Sequence, residues 1–326
     1  MTTYDDAHLR IAAAAAIRAP SLHNSQPWRF RLREGAIEVL ADRSRQLAVA
    51  DSAGWALHIA LGAATFNARV ALAAHGVPAD VTLLPRDAGS DVIARLTPGT
   101  PRPPTYREQA MAEAIPRRYS NRQPFWPDPV PSPARVELIE AARAEGAWLD
   151  LLVGMTPLAG FAEIAQSADR VLRRDPEYQA ELMAWSHTDG APQGVPVTAG
   201  APAAEPQDLL PQRPFAEHRR APGRDFEPEP LVGILGTRGD VPIDQLVAGQ
   251  ALQRVLLTVV DLGLACSMIS QPIEVPAARD QLCRSLRRSG SAQMALRIGY
   301  GHAGHPGPRR ALEDVLAGPG EEPETR

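Results

Sequence analysis

Two stretches of this chain follow one plan. "LGAATFNARVALAAHGV" begins at Leu61 and "AGQALQRVLLTVVDLGL" begins at Ala248. Aligned on their glycines, Gly62 meets Gly249 and Gly76 meets Gly263, both 187 positions apart. In the second copy Ala248, Leu252, Val255, Val259 and Leu262 recur at intervals of four and three, which is a helical period. Each helix ends at a glycine, a common C-terminal stop, and a short apolar strand candidate follows: "VTLLP" in one copy, "ACSMIS" in the other. Two alanine- and leucine-rich helices can look alike by chance. The shared order of helix, glycine stop and strand favours duplication.

Further elements can be placed around this pair. "PWRFRLREGAIEVLADR" reads as a hairpin, with Trp28, Phe30 and Leu32 alternating with arginines, a turn at Glu34-Gly35, and Ile37 and Val39 continuing. "AWLDLLVG", "LVGILGT" and "QMALRIGYG" are strand candidates, and residues 132–145, 157–174 and 276–288 carry helical patterns. The mixture predicts an α+β fold, with sheets covered by helices. Residues 98–133 hold ten prolines and read as a surface linker between halves. Residues 186–230 hold nine more, too long a stretch for a simple connection. That segment is either a functional cover or disordered. Phe215, Phe226 and the Leu209-Leu210 pair favour an ordered cover, a lid.

Composition removes several kinds of function. The net charge is −4, with no basic excess to hold nucleic acid. No run of about 18 purely apolar residues is present, so no membrane span is expected. The start, "MTTYDDAHLR", is acidic where a secretory signal would be basic. Two cysteines, Cys266 and Cys283, make no disulfide framework, and a reduced, cytoplasmic setting is expected. All 34 basic residues are arginine and none is lysine, which excludes a P-loop lysine or a Schiff-base lysine. Any bound phosphate must be held by arginine forks and backbone amides.

Three fragments carry polar residues in patterns that invite a ligand. "RAPSLHNSQPWRF", Arg18 to Phe30, breaks the helix of "IAAAAAI" and crowds Ser21, Asn24 and Gln26 into one loop. In "PRRYSNRQPF", Arg118, Ser120 and Arg122 stand at i, i+2 and i+4, one side of an extended chain, and would cradle an anion. "RIGYGHAGHPGPRRALEDVL" places Arg309-Arg310 after a strand and a glycine-rich turn. Taken singly, the arginine segments also fit solvated basic loops.

Together they resemble the nitroreductase superfamily of FMN flavoproteins, and within it the Acg-type subgroup. The carriers are the PSxxNxQPW loop (Pro20, Ser21, Asn24, Gln26, Pro27, Trp28), the RxSxR segment and the terminal IGYG…RR. In ordinary members one short subunit carries the phosphate arginines and then the loop, and two subunits build each flavin site across their interface. Here the loop lies in the first half and the arginines in the second, as in a dimer fused into one chain that keeps one composite site. The resemblance implies a nitroreductase-like fold of duplicated halves, a single-chain pseudo-dimer around long central helices. The first half would span 1–100 with the flavin-ring loop. The second would span 101–326 with the phosphate segment, and 186–230 would be a lid. It further implies that Arg118, Ser120, Arg122 and Arg309 or Arg310 hold the FMN phosphate and ribityl chain. Pro20, Ser21, Asn24 and Gln26 would reach the flavin ring, with Ser270 and Gln271 of "MISQPIEV" near its face.

Rival motifs are weaker. Gly299-x-Gly301-x-x-Gly304 matches a dinucleotide fingerprint in form, but His305, Pro306, Gly307 and Pro308 follow where a helix should open. His23, His302 and His305 lack acidic or cysteine partners at metal-ligand spacing, and no metal is expected. No GxSxG elbow supports a serine hydrolase. The expected function is FMN-dependent reduction of a small electron-poor acceptor, such as a nitroaromatic or quinone, by hydride transfer from flavin N5, with NAD(P)H as transient donor. No side chain is assigned as catalytic acid or base, because the cofactor carries the chemistry. A second reading is an FMN-sequestering protein whose lid shields the flavin. A third is flavin-consuming chemistry or oxidation of a specialised metabolite. A monomer is expected, because fused halves satisfy their own interface.

Overall fold

Glu34 and Gly35 both take positive φ, 53° and 74°, the geometry of a two-residue hairpin turn. They join β1 (Trp28–Arg33) to β2 (Ala36–Ala41), in register from Trp28 opposite Ala41 to Arg33 opposite Ala36. The computed structural model describes residues 3–187, 190–200, 208–211, 213, 215, 229–302 and 304–318. With β3 (Ala79–Leu83) and β4 (Val92–Pro98) the hairpin makes an antiparallel sheet in the order β1-β2-β4-β3. Helices α1 (Asp6–Ala16) and α2 (Trp55–Ala74) pack with it. The second sheet, also antiparallel, has the order β5-β8-β10-β9, from β5 (Trp148–Leu152), β8 (Leu231–Thr237), β9 (Ala265–Ile269) and β10 (Ser291–Gly299). Around it lie α4 (Ser132–Arg143), α5 (Met155–Arg174), α6 (Pro176–Ala184), α7 (Pro242–Asp261), α8 (Gln271–Glu274) and α9 (Pro276–Leu286). Each sheet thus follows the expected pattern of a long helix feeding an edge strand: α2 into β3, and α7 into β9.

The two repeated helices are each other's main neighbours. Gly62 and Gly249 sit where they touch: a Cβ built on Gly62 would meet the Leu246 carbonyl and lie 3.0 Å from the Gly249 Cα. The reciprocal Cβ on Gly249 would meet the Ile59 carbonyl. Polar pairs flank the contact, His58 Nδ1 with Gln245 Oε1 at 2.8 Å and Gln253 Nε2 donating to Asn67 Oδ1 at 2.7 Å. The contacts 58–245, 62–249 and 67–253 advance together, so α2 and α7 run side by side in the same direction. Each helix also enters the other half's core. Trp55, Ala56 and Ile59 join the cluster under the second sheet, and Leu246 joins the one under the first.

Three features go beyond those expectations. The proline-rich 98–133 segment is more than a surface linker: it contains α3 (Tyr106–Ala114). Thr105 and Glu108 form a capping box there, and Met111, Ala114 and Ile115 are buried against Phe66 and Leu257 of the central helices. Second, α2 does have the length and hydropathy of a membrane span, 20 residues with a mean hydropathy of 1.3. It is 94% buried within the fold, where a helix apolar on every side belongs. Third, the terminal segment returns to the first sheet. Helix α10 (Leu312–Val315) packs on α1, and the Ala317 amide donates to the Phe30 carbonyl at 2.8 Å. Two further strands, β6 (Ser186–His187) and β7 (Val195–Pro196), pair with each other at the start of the 186–230 segment. Phe226 of that segment lies outside the described residues.

Gly62→Ala and Gly249→Ala should each destabilise the protein by at least about 2 kcal/mol, because the added methyl meets backbone that cannot rotate away. Urea denaturation reads this directly. An unchanged midpoint for either variant would show that the helices can separate at no cost.

Candidate functional site

Arg118, Ser120 and Arg122 lie on one side of an extended segment because that segment pairs with a strand edge. Ser120 forms a parallel bridge with Cys266 of β9, and the Asn121 amide donates to the Cys266 carbonyl at 2.8 Å. All three residues consequently line one cavity, together with Asn24 and Arg309. A larger cavity adjoins it, sharing Pro20, Ser21, His23, Ser120, Arg122 and Met268. Apolar groups such as Ile59, Leu210, Leu252 and Met294 form much of its wall, and Ser270 and Gln271 stand at its rim where α8 begins. Residues 20–24 come from the first half and 118–122, 267–271 and 309 from the second. The site is therefore composite.

The glycine-rich turn before Arg309 now has a physical reason. A Cβ at Gly299 or Gly301 would press on the Phe125 ring, and one at Gly304 would crowd the Ser120 carbonyl. The missing side chains let the terminal segment lie against residues 119–125 and bring Arg309 to the cavity beside Arg118.

No carboxylate among the described residues pairs with Arg118, Arg122 or Arg309. Arg118 Nη2 donates to the Arg18 carbonyl at 3.1 Å and Arg122 Nη1 to the Ala199 carbonyl at 3.0 Å. Arg309 Nη1 donates to Asn24 Oδ1 at 3.1 Å and to the Pro308 carbonyl at 2.8 Å. The Nε atoms of Arg118 and Arg309 are buried without a hydrogen-bond partner among the described residues. Burial lowers the pKa of Arg118 and of Arg122 to about 10 and that of Arg309 to about 9. The neighbouring cations Arg213, for Arg122, and Arg118, for Arg309, add to the effect. Three cations gathered without a carboxylate partner among the described residues are an arrangement that could hold an anion.

The loop after α1 grips protein as well as cavity. His23, Asn24 and Gln26 all have positive φ, 50°, 55° and 54°, costly for residues with side chains. Ser21 Oγ accepts from the Gln26 amide at 2.9 Å and secures the turn. Asn24 Nδ2 donates to the carbonyls of Gly194 at 2.9 Å and Pro308 at 3.0 Å. Gln26 Nε2 donates to the Pro192 carbonyl at 2.8 Å, and its Oε1 accepts from the Arg310 amide at 2.9 Å. Asn24 and Gln26 thus clamp the 192–194 and 308–310 backbones, and Gln26 lines neither cavity. Arg310 turns away from its neighbour Arg309, reaching Asp42 at 3.4 Å and the Asp314 carbonyl at 2.8 Å.

Leu210 and Phe215, two of the residues that suggested an ordered segment, line the larger cavity with Pro211 and Arg213; sequence reasoning missed Arg213 and its partners. Arg213 forms a buried ion pair with Glu274 and donates to Ser270 Oγ at 3.0 Å. Tyr178 Oη donates to the second oxygen of Glu274 at 2.8 Å. His23 is 3% exposed and meets Tyr178 and Phe215 edge-on. Burial, then the charges of Arg213 and Arg122, hold its pKa well below the ordinary value. No local pattern marks these residues, which meet only through the fold. Among the described residues no group of three or more His, Cys, Asp or Glu comes together.

The chain is 33% identical to Rv3131 of Mycobacterium tuberculosis H37Rv, named a proposed NAD(P)H nitroreductase, over 98% of this chain and 94% of that one. It is 27% identical to Acg of the same organism, named likewise, over 94% of this chain and 95% of that one. A solved nitroreductase with bound FMN from Desulfitobacterium hafniense DCB-2 aligns with 64% of this chain and 97% of its own, at 12% identity and a TM-score of 0.41. No protein-family model matches the chain.

Replacing a buried unpaired cation by an apolar residue removes its desolvation cost. Arg118→Met should be at least as stable as the parent without ligand, by up to about 1 kcal/mol, and should lose the stabilisation that millimolar phosphate gives the parent. Denaturation with and without phosphate checks both; a destabilised variant that still responds to phosphate would contradict the anion assignment. The lowered pKa of His23 has its own signature. Above the ordinary value of 6.5 the imidazole is neutral in both states, so its contribution is complete there. Below 6.5 only the unfolded chain takes the proton, and stability falls by up to about 1.4 kcal/mol per pH unit. His23→Asn should flatten that part of the stability–pH curve, and an unaltered slope would place the proton elsewhere.

Proposed function

The chain belongs to the nitroreductase family, and we propose that it is an FMN-dependent NAD(P)H reductase of small electron-poor acceptors, nitroaromatics or quinones. The observation that carries this reading is the asymmetry of the paired cavities. One end gathers Arg118, Arg122 and Arg309 without a carboxylate among the described residues; the other is walled largely by apolar side chains, with Arg213, Arg297 and a few neutral polar groups. A molecule with a phosphate at one end and a flat, largely apolar ring at the other fits that gradient. Arg118, Arg309, Arg122 and the Ser120 hydroxyl would hold the phosphate of FMN, whose oxygens would be the acceptors that the buried Nε atoms of Arg118 and Arg309 lack. Pro20, Ser21, Met268, Ser270 and Gln271 would border the ring. Bound there, FMN supplies hydride and single-electron transfer, which no side chain of the site can. The protein's part is position, a cationic field that retains the phosphate, and a cover that excludes water.

The segment 186–230 acts as that cover, and the two halves, 1–100 and 101–326, act as a pseudo-dimer in a monomeric chain. Asn24 and Gln26 serve the site by clamping the cover and the Arg309 segment rather than by touching the ring. Arg310 anchors the terminal segment to the first half.

A second reading, an FMN-sequestering protein, is favoured by one feature: the Arg213–Glu274 pair ties the cover down inside the protein, where its partners are almost solvent-free. The visible spectrum under anaerobic conditions separates the two. A flavin band that bleaches with NADPH or NADH and returns with a nitroaromatic is the expected result. A band that yields only to dithionite would make the protein a flavin store. Arg118→Ala with Arg122→Ala should weaken FMN binding at least about 100-fold, since each charged hydrogen bond contributes about 1.5–3 kcal/mol. Unchanged FMN affinity in the double variant would sink the phosphate assignment.

A further inference from the structure

His23 stands at the junction of the two cavities and lines both. Its Nδ1 lies 3.3 Å from Arg213 Nη1. A guanidinium has no acceptor, so it can only donate, and Nδ1 must carry the lone pair. The imidazole is kept neutral by burial and by two nearby arginines. Its single proton therefore sits on Nε2. That Nε2–H is buried and has no partner among the described residues. A buried donor left unmade costs about 1–3 kcal/mol, in a residue whose backbone is already held at positive φ. Two costs at one residue on a cavity wall mark a group kept for a ligand.

We infer that His23 is a ligand-reading donor: its Nε2–H, held in one tautomer by Arg213 of the covering segment, donates a hydrogen bond to an oxygen or ring-nitrogen acceptor of an aromatic ligand in the larger cavity. The identity of the ligand rests on the flavin reading; the tautomer does not. Two ligands offer this chemistry, the edge of the flavin ring and the oxygen of a nitro or quinone acceptor. Arg213 is a positioning residue. Its guanidinium is fixed by Glu274 and Ser270, which holds a donor against Nδ1. Without that donor the two neutral tautomers become free to exchange. A ligand acceptor then meets either a donor or a lone pair.

Long-range proton–nitrogen spectra of the full chain carrying nitrogen-15 histidine test this, with His23→Phe assigning the resonances. The ligand-free protein should show His23 as the Nε2–H tautomer alone. Arg213→Met should give a mixture, and Arg213→Lys, which keeps a donor, should restore the single form. A His23 found as the Nδ1–H tautomer, or one unaffected by Arg213→Met, would overturn the inference. FMN is then added, followed by nitrobenzene. A shift of the Nε2 resonance with FMN assigns the bond to the cofactor, and a shift only with nitrobenzene assigns it to the substrate. No shift with either overturns the inference. His23→Phe should weaken the ligand that moved the resonance about tenfold, whereas His23→Asn, which keeps a donor, should hold it within about twofold. Equal losses in the two variants would reduce His23 to packing and overturn it too. Failure to bind FMN at all would end the flavin reading, while the tautomer and nitrobenzene arms would still decide this one.

Discussion

The backbone contact between Gly62 and Gly249 is the constraint on which the rest of the molecule depends. Two helices can approach this closely only where neither carries a side chain, and the polar pairs His58–Gln245 and Asn67–Gln253 hold the crossing in one register. Because α2 and α7 then share an interface, each lends side chains to the other's core, and the halves cannot be peeled apart without exposing both. The cavity lies between them. Its first-half wall includes Trp55, Ala56, Ile59 and Ala60 of α2, and its second-half wall includes Leu252 of α7 and the β9 edge. A slip of one helical turn along α2 would move these walls past each other by about 5 Å.

Much of this was legible before any coordinates. The paired helices, their glycine stops, the strands that follow and the Glu34-Gly35 hairpin all have local causes, a period or a turn, that sequence displays. The arginine segment was legible for the same reason, since alternation in an extended chain puts Arg118, Ser120 and Arg122 on one side. Arg309 and Arg310 could not be separated: neighbours in an extended chain point opposite ways, and which points inward is decided by distant partners, Asp42 and Gln26. The PSxxNxQPW loop was read as polar and crowded, but its partners are backbone carbonyls 166 to 284 positions away. Helix α3 was hidden by the prolines around it, although Thr105 and Glu108 carry a capping signal. His23 was weighed only as a metal ligand, and Arg213, Glu274 and Tyr178 left no mark at all, because the meeting of the four is purely tertiary.

The site is an unbalanced part of a balanced molecule. Elsewhere many arginines find carboxylates, as Arg31 and Arg95 do with Glu38 and Arg69 and Arg254 do with Glu145. Around the smaller cavity Arg118, Arg122 and Arg309 find no carboxylate among the described residues, and three residues of the adjoining loop adopt left-handed backbone. Such costs persist in a folded chain only when the surroundings over-determine them or a ligand offsets them. Here the loop is clamped from several sides, and on the proposed function the phosphate of FMN would offset the cost of the buried cations. Having no lysine sharpens this. A guanidinium still carries its charge when burial lowers its pKa to about 9 or 10, so the cradle stays cationic at neutral pH.

The return of the terminal segment to the first sheet has a consequence for how the protein comes to life. Asn24 and Arg309 touch across 285 positions of chain. On a ribosome the loop that opens the site is made early, and the arginine that completes it emerges long after both sheets have been synthesised. A growing chain can fold its first hairpin and helices in solitude. It cannot close the cradle until Arg309 has emerged, so the site forms only after the strands of both sheets have been made.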